Sequence, residues 1–206
     1  KNYNAVYVGS NSAMLTLKAT NNGVITFDNN NITGVSGYTL NITGDNTSTV
    51  NLHNQINNAK LNITDVGKVD FVDNTARTYN LVSMTSDAST KYGIDVDLTN
   101  VLADKFVVTA DSTGVITIDN INILGTTTET KTFQILSLTN GSTLQLALGD
   151  NIQIGGLKEL TTNTVLNTDK FGEIEGWQLT TTTTNNDSLK WIPCGKVYDT
   201  LVLINQ

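Results

Sequence analysis

The sequence predicts an all-β protein, a right-handed parallel β-helix, and three observations carry that reading. The first is a recurring triplet in which two apolar residues flank one small polar residue: Leu15-Thr16-Leu17, Ile25-Thr26-Phe27, Leu40-Asn41-Ile42, Val50-Asn51-Leu52, Leu61-Asn62-Ile63 and Val69-Asp70-Phe71. Successive side chains of a strand point to opposite faces, so each triplet sends two apolar groups inward and one polar group outward. The second is cadence. The triplets end at residues 17, 27, 42, 52, 63 and 71, about ten apart, half of a rung in a coil of ~20 residues. The third is composition: of 206 residues, 27 are Asn and 34 are Thr, beside 16 Gly and one Pro. Thr suits strands, and Asn suits tight turns because its side chain bonds nearby backbone and tolerates left-handed dihedrals.

Residues 1–90 read as the solenoid rungs, with turns at Asp28-Asn29-Asn30-Asn31, Gly44-Asp45-Asn46 and Asp73-Asn74. An antiparallel sandwich also spaces its strands about 8–12 residues apart. The polar middles decide between the two, because Thr16, Thr26, Asn41, Asn51, Asn62 and Asp70 are all small. Such residues stack into ladders between aligned rungs, whereas sandwich faces mix in Lys, Glu and Arg. Leu17, Phe27, Ile42, Leu52, Ile63 and Phe71 are therefore expected in one stacked core. Disorder conflicts with the regular alternation of Val, Ile and Leu.

From Lys91 the rhythm changes. Ile94, Val96 and Leu98 alternate with Asp95 and Asp97. Phe106-Val107-Val108 and Val115-Ile116-Thr117-Ile118 flank Asp111-Ser112-Thr113-Gly114, which reads as a hairpin loop. Further strands are expected at 133–136 and 144–148. Residues 151–206 hold both tryptophans, Pro193 and Cys194. There Trp177-Gln178-Leu179 and Leu189-Lys190-Trp191 bracket a long-looped hairpin, and 198–204 reads as a last strand. An open solenoid end exposes backbone edges, so this segment is expected to be a cap, with a separate small β-domain as the alternative.

Within residues 91–150 the order is a strand, then Asp104-Lys105-Phe106-Val107-Val108, then Gly114, then the apolar run Phe133-Gln134-Ile135-Leu136. That order resembles the autochaperone, the C-terminal folding region of pertactin-like autotransporter passengers, where a solenoid leads into an Asp-Lys/Arg-aromatic/Leu-x-Val step, a Gly turn and a later apolar strand. The resemblance implies an extracellular segment of a bacterial surface protein whose C-terminal half folds first and templates the rungs.

Net charge is −7 and the pI about 4.5. An acidic surface repels phosphate backbones and anionic membranes, so neither nucleic acid nor a lipid surface is an expected partner. No apolar run reaches the ~18 residues of a membrane helix. The start, Lys1-Asn2-Tyr3-Asn4, lacks a signal peptide's apolar stretch and is expected to be a processed terminus or the edge of a fragment. A single cysteine rules out an internal disulfide. Sequons at Asn31, Asn41, Asn46, Asn62, Asn140 and Asn186 are what this composition produces by chance.

Chemical constellations are sparse. His53 is the only histidine, which removes multi-His metal sites and leaves any triad a single candidate; in Leu52-His53-Asn54 it is expected on an exposed turn. Cys194 lies between Pro193 and Gly195 with no base nearby in sequence, an inert thiol. Asp95 and Asp97 share a strand face about 6.6 Å apart, a spacing that suits inverting glycoside hydrolysis or a calcium site. Ile94, Val96 and Leu98 claim the inner face, however, so both carboxylates are expected in solvent. Calcium-binding nonapeptide repeats and EF-hand loops are absent, and turns such as Gly44-Asp45-Asn46 offer a stray cation weak contact only. Arg77, the only arginine, follows Asp73, and one Asp-Arg pair falls short of a pectate-lyase-like site. The threonine run at 180–184 invites an ice-binding reading, which the mixed Thr, Asn and Asp of the outward column opposes.

No catalytic, cofactor-binding or metal-ligating residue is therefore assigned. The expected function is a structural and adhesive one: a stiff β-helical stalk or passenger on a bacterial cell surface, binding a host or neighbouring-cell ligand or glycan, or other copies of itself. Two alternatives are carried. One is a carbohydrate-active β-helix, a lyase, hydrolase or tail-spike-like depolymerase. The other is an S-layer or filament subunit that assembles through terminal strands.

Overall fold

A computed structural model describes residues 2–3, 5–28, 31–139, 141–154, 159–162, 176–181 and 187–192. No helix occurs among them, and their parallel strands stack as a β-solenoid of about 5 turns. The first rung comprises β2 (Val6–Val8), β3 (Met14–Ala19) and β4 (Val24–Asp28), with β1 (Asn2–Tyr3) paired above β4. The second comprises β5 (Ile32–Gly34), β6 (Tyr38–Gly44) and β7 (Thr49–His53). In the third, the lone bridge residue Ile56 precedes β8 (Ala59–Ile63) and β9 (Lys68–Asp70). The fourth holds β10 (Thr78–Leu81), β11 (Ser83–Ser86) and β12 (Lys91–Asp97), to which β13 (Leu102–Ala103) pairs back as a hairpin. The fifth holds β14 (Lys105–Val108) and the long β15 (Thr113–Leu124). Then follow β16 (Lys131–Gln134), β17 (Leu136–Ser137), β18 (Gln145–Ile154), β19 (Glu159–Thr162), β20 (Gly176–Thr181) and β21 (Asp187–Ile192).

The rungs present three faces. On the first, Leu15, Leu40, Leu61 and Met84 align through β3, β6, β8 and β11. On the second, Ile25, Val50, Val69, Tyr92, Ile118 and Leu148 align through β4, β7, β9, β12, β15 and β18. On the third, Val6, Ile32 and Ile56 form one column, and Tyr79, Phe106 and Leu136 another. The triplets alternate between the first two faces, which is why they recur at half a rung. The expected inner residues, Leu17, Phe27, Ile42, Leu52, Ile63 and Phe71, are buried in one core. They lie on stacked parallel strands, so the solenoid holds and the sandwich does not.

Outside the core the polar middles form the expected ladders. Asn62 donates to Asn41 Oδ1 at 3.1 Å, Thr85 donates to Asn62 Oδ1 at 2.8 Å, and Asn51 donates to Thr26 Oγ1 at 3.2 Å. Asparagine also serves the turns: Asn21, Asn22, Asn58 and Asn74 take left-handed backbone angles, with φ between 56° and 66°. Phe71 anchors an aromatic cluster at the centre of the stack, with its ring 5.1 Å from both Tyr79 and Phe106 and 6.1 Å from Tyr92.

The expected hairpin across 106–118 does not form. β14 pairs with β10 and β17 on the third face, while β15 pairs with β11, β12 and β18, all in parallel. Asp111-Ser112-Thr113-Gly114 is a rung corner. Ser112 Oγ accepts from Met84 N at 2.9 Å and Ser112 N donates to Ser142 Oγ at 2.9 Å, so the turn is bonded to the rungs on either side rather than closing on itself. Gly114 sits at φ +104°, where a Cβ would strike the Ser86 carbonyl. The run expected as one strand at 133–136 divides between β16 and β17, in different sheets. The strand expected at 144–148 is the start of β18. Between residues 176 and 192 the expected hairpin is present: β20 and β21 pair antiparallel, with Trp177 opposite Trp191 and Leu179 opposite Leu189. β21 also pairs with β16, and Leu189 is fully buried. The strand expected at 198–204 lies outside the described residues.

Candidate functional site

The chemistry-bearing residues gather where one rung meets the next, and aspartates dominate there. Asp45 Oδ2 accepts from Asn21 N at 2.8 Å, one rung back. Asp87 Oδ2 accepts from Asp65 N at 2.6 Å. Asp95 Oδ2 accepts from Asp73 N at 2.8 Å and Thr75 N at 3.3 Å. Asp104 accepts from Arg77 N at 2.9 Å with one oxygen and from Asp95 N at 2.8 Å with the other. In each pair the carboxylate belongs to the later rung and the orphan backbone donor to the earlier one. Ser112 and Ser142 repeat the arrangement with hydroxyl acceptors. Asp111 runs the other way, accepting from Thr139 Oγ1 at 3.0 Å. Corners of a solenoid leave backbone N–H groups outside the sheet ladders, and buried donors need partners. A short side chain with two acceptor oxygens meets that need at one rung's spacing.

The densest group is Asp73, Arg77, Asp95, Asp104 and Asn122. Arg77 Nε donates to Asp73 Oδ2 at 2.8 Å, and the Asn122 amide donates to Asp95 Oδ1. Asp95 and Asp104 are both 0% exposed. This corrects the expectation that Asp95 faces solvent. Ile94, Val96 and Leu98 are buried as expected, but the segment carrying Asp73 and Thr75 donates into the outward side of β12 and covers it as well. Asp97 takes a separate role, accepting from the amides of Thr99 and Asn100 and from the Asn100 side chain in the hairpin turn. The two carboxylates thus do not act as a pair.

Burial raises the Asp95 carboxyl against the pull of the Asn122 amide and the Asp73 and Thr75 N–H groups, and the charge of Asp73 adds to the rise. Burial raises Asp104 further, opposed by the Asp95 and Arg77 N–H groups. The turn aspartates move down. The Thr47 hydroxyl, the Asn21 N–H and the Ser48 hydroxyl hold Asp45 far below the usual range. For Asp87 burial acts upward, but the Asp65 N–H and Thr90 outweigh it. The Asn100 side chain and N–H lower Asp97. A carboxylate lowered in the folded chain contributes stability that is present above its ordinary pKa of ~4 and is lost as pH falls through the folded value. Asp45→Asn is accordingly expected to flatten the acid limb of the melting temperature below about pH 4; an unchanged limb would show that these turns do not couple to folding.

His53 closes β7 and is half-buried, which corrects its placement on an exposed turn. Its Nδ1 is 3.7 Å from Asp28 Oδ1, and its Nε2 is buried without a partner. The second-face sheet extends through His53, with Asp28 opposite it, so it belongs to a strand end. Cys194 lies outside the described residues. No group of three or more His, Cys, Asp or Glu able to hold a metal ion occurs among the described residues. Sequence reasoning passed over Asp87, Asp104 and Asn122 as acceptors and donors between rungs. The spacing of Asp45, Asp65 and Asp87, 20 and 22 residues apart, repeats at the period of a rung and carries that signal.

The cluster does not include two free carboxylates facing a common substrate space. What it does chemically is hold irregular backbone in place. Asp95→Ala is expected to speed amide exchange at Asp73 by about tenfold or more, and less at Thr75, whose N–H also donates to Asp73 Oδ1 at 3.0 Å, leaving the ladder amides of β12 less affected. Equal acceleration along β12 would point to general unfolding instead. No protein-family model matches this sequence, and no characterised protein matches it.

Proposed function

We propose that this chain is a structural and adhesive segment of an extracellular bacterial surface protein, a stiff β-helical passenger that presents its flat faces to a ligand or glycan on another cell. One observation carries the reading: the carboxylates with the chemistry to react are spent on backbone donors of the neighbouring rung. Five turns at about 4.8 Å per strand spacing rise ~24 Å, so the segment acts as a rigid block within a stack. Three columns of aligned strands and hydrogen-bonded Asn and Thr ladders resist bending at each step. The surface is acidic and polar, and a single cysteine suits a chain that does not depend on redox state.

A carbohydrate-active β-helix would need its acids open to the polymer, and the 0% exposure of Asp95 and Asp104 argues against it. The test is an incubation of purified protein with a panel of bacterial and host polysaccharides, scored both for retention on the polymer and for new reducing ends or unsaturated uronates. The expected result is retention or none, with no cleavage. Cleavage that disappears in an Asp95→Asn/Asp97→Asn variant that still melts cooperatively would overturn the reading.

A further inference from the structure

We infer that the third face carries the ligand site, and that its ligand is an uncharged oligosaccharide lying along the stack with one sugar resting on Tyr7. This rests on the adhesive reading above and gives it a face and a ligand class. The outward residues of the third face are, in stacking order, Tyr7, Thr33, Asn57, Asn80, Val107 and Ser137. Strand pairing aligns Tyr7 with Thr33, and Asn80 with Val107 and Ser137. The bridge between Ile32 and Ile56 sets Asn57 next to Thr33, and Asn58 N donates to Asn80 O at 2.8 Å, which joins the two halves of the row.

Charge and prior bonding separate this face from the other two. The row holds no Asp, Glu, Lys, Arg or His. On the second face Lys68 and Lys91 stack in register, with Asp70 two residues along the strand. On the first, the polar middles are spent on one another, Asn62 donating to Asn41 and Thr85 to Asn62. A charge-free strip on a chain of net charge −7 does not draw an anionic polymer, and a neutral ligand leaves no ion to desolvate there.

A sugar ring has an apolar C–H side and a rim of hydroxyls, so it needs both kinds of partner. Tyr7 is 68% exposed, the most exposed large hydrophobic among the described residues. Its ring lies beside Gly9, where a Cβ would come within 3.9 Å of the ring carbon Cε1. An exposed tyrosine offers a flat apolar face with a polar tip and loses little rotamer freedom on binding. Val35, 39% exposed, donates its N–H to Val8 O at 2.9 Å and so extends the apolar surface next to Gly9. The Thr33 hydroxyl and the Asn80 amide have no hydrogen-bond partner among the described residues, which leaves both open to sugar hydroxyls. Gln55 Nε2 donates to Asn57 Oδ1 at 3.0 Å and orients that amide on the same row. Stacked strands lie about 4.8 Å apart, close to the length of one sugar in an extended chain, so successive sugars meet successive rungs.

The test is an NMR titration of the full chain with cellohexaose, mannohexaose and xylohexaose, and with hexagalacturonate as the anionic control, followed through the amide shifts. The expected result is saturable shifts with at least one neutral probe, centred on Tyr7, Thr33 and Asn57, and none with hexagalacturonate. Tyr7→Ala is expected to weaken that binding about fivefold or more at an unchanged melting temperature, while Tyr7→Phe keeps most of it. No third-face shift with any neutral probe overturns the inference, as does a preference for hexagalacturonate or an equal affinity in Tyr7→Ala. Shifts confined to the first or second face overturn the choice of face and leave the adhesive reading standing. Cleavage of a probe into shorter sugars overturns the adhesive reading itself.

Discussion

Phe71→Ala is expected to destabilise the protein by about 3–5 kcal/mol, the range for emptying a buried aromatic site. Phe71 is 0% exposed, and its ring contacts come from three different strands: Tyr79 at 5.1 Å and 58°, Phe106 at 5.1 Å and 76°, and Tyr92 at 6.1 Å and 8°. Each aromatic pair adds ~0.5–1.5 kcal/mol beyond the area it buries. The cavity has little means of closing, because Tyr79 and Phe106 are held in register by parallel pairing on the third face. Denaturant unfolding of wild type and variant checks this, with the midpoint falling at an unchanged slope. A loss below about 1 kcal/mol would mean that the rungs pack loosely at their centre.

The stacked core was legible because strand alternation is a period of two, and six triplets repeat it without interruption. All six occupy the two faces where the outward residue is small and polar. The third face was not legible. Its rungs contribute Val6 and Val8, then Ile32 beside Gly34, then Ile56 alone, which is too little alternation to stand out among asparagines. Aligned residues on the second face are 25, 19, 23, 26 and 30 positions apart from Ile25 to Leu148. A rung of variable length with three sides blurs any fixed period.

The hairpin reading at 106–118 failed for a related reason. Two apolar runs joined by a Gly-ended loop describe a solenoid corner as well as a hairpin, and only the partners of Ser112 in the adjacent rungs separate the two. Asp95 was misplaced because alternation within β12 is visible in sequence, whereas a loop from the preceding rung lying over its outer side is not. The resemblance in residues 91–150 rests on residues that the structure puts to use: Asp104 bonds the preceding rung, Phe106 joins the aromatic cluster and Gly114 makes the corner.

Each rung is fixed by the rung that follows it. The acceptors Asp95 and Asp104 sit on or beside strands β12 and β14, while their donors at Asp73, Thr75 and Arg77 lie in irregular chain with no ladder of their own. Ser112 likewise receives Met84 N. Dividing the chain after residue 90 takes all three acceptors, together with Tyr92 and Phe106, away from the N-terminal part. An unmet buried donor costs ~1–3 kcal/mol, and the cut strands Met84 N in β11 and Asp73 N and Arg77 N in the irregular chain, while Thr75 N keeps Asp73 Oδ1 at 3.0 Å. The C-terminal part loses the Gly67, Arg77 and Val82 carbonyls that receive Lys91, Lys105, Thr109 and Ala110 N, but it keeps β12, β15 and β18, and β14 and β17, paired with one another. Residues 1–90 and residues 91–206, prepared separately, are to be compared by thermal melting and limited proteolysis. A cooperative, protease-resistant 91–206 beside an unfolded 1–90 is expected; a cooperatively melting 1–90 beside an unfolded 91–206 would show that the dependence runs the other way.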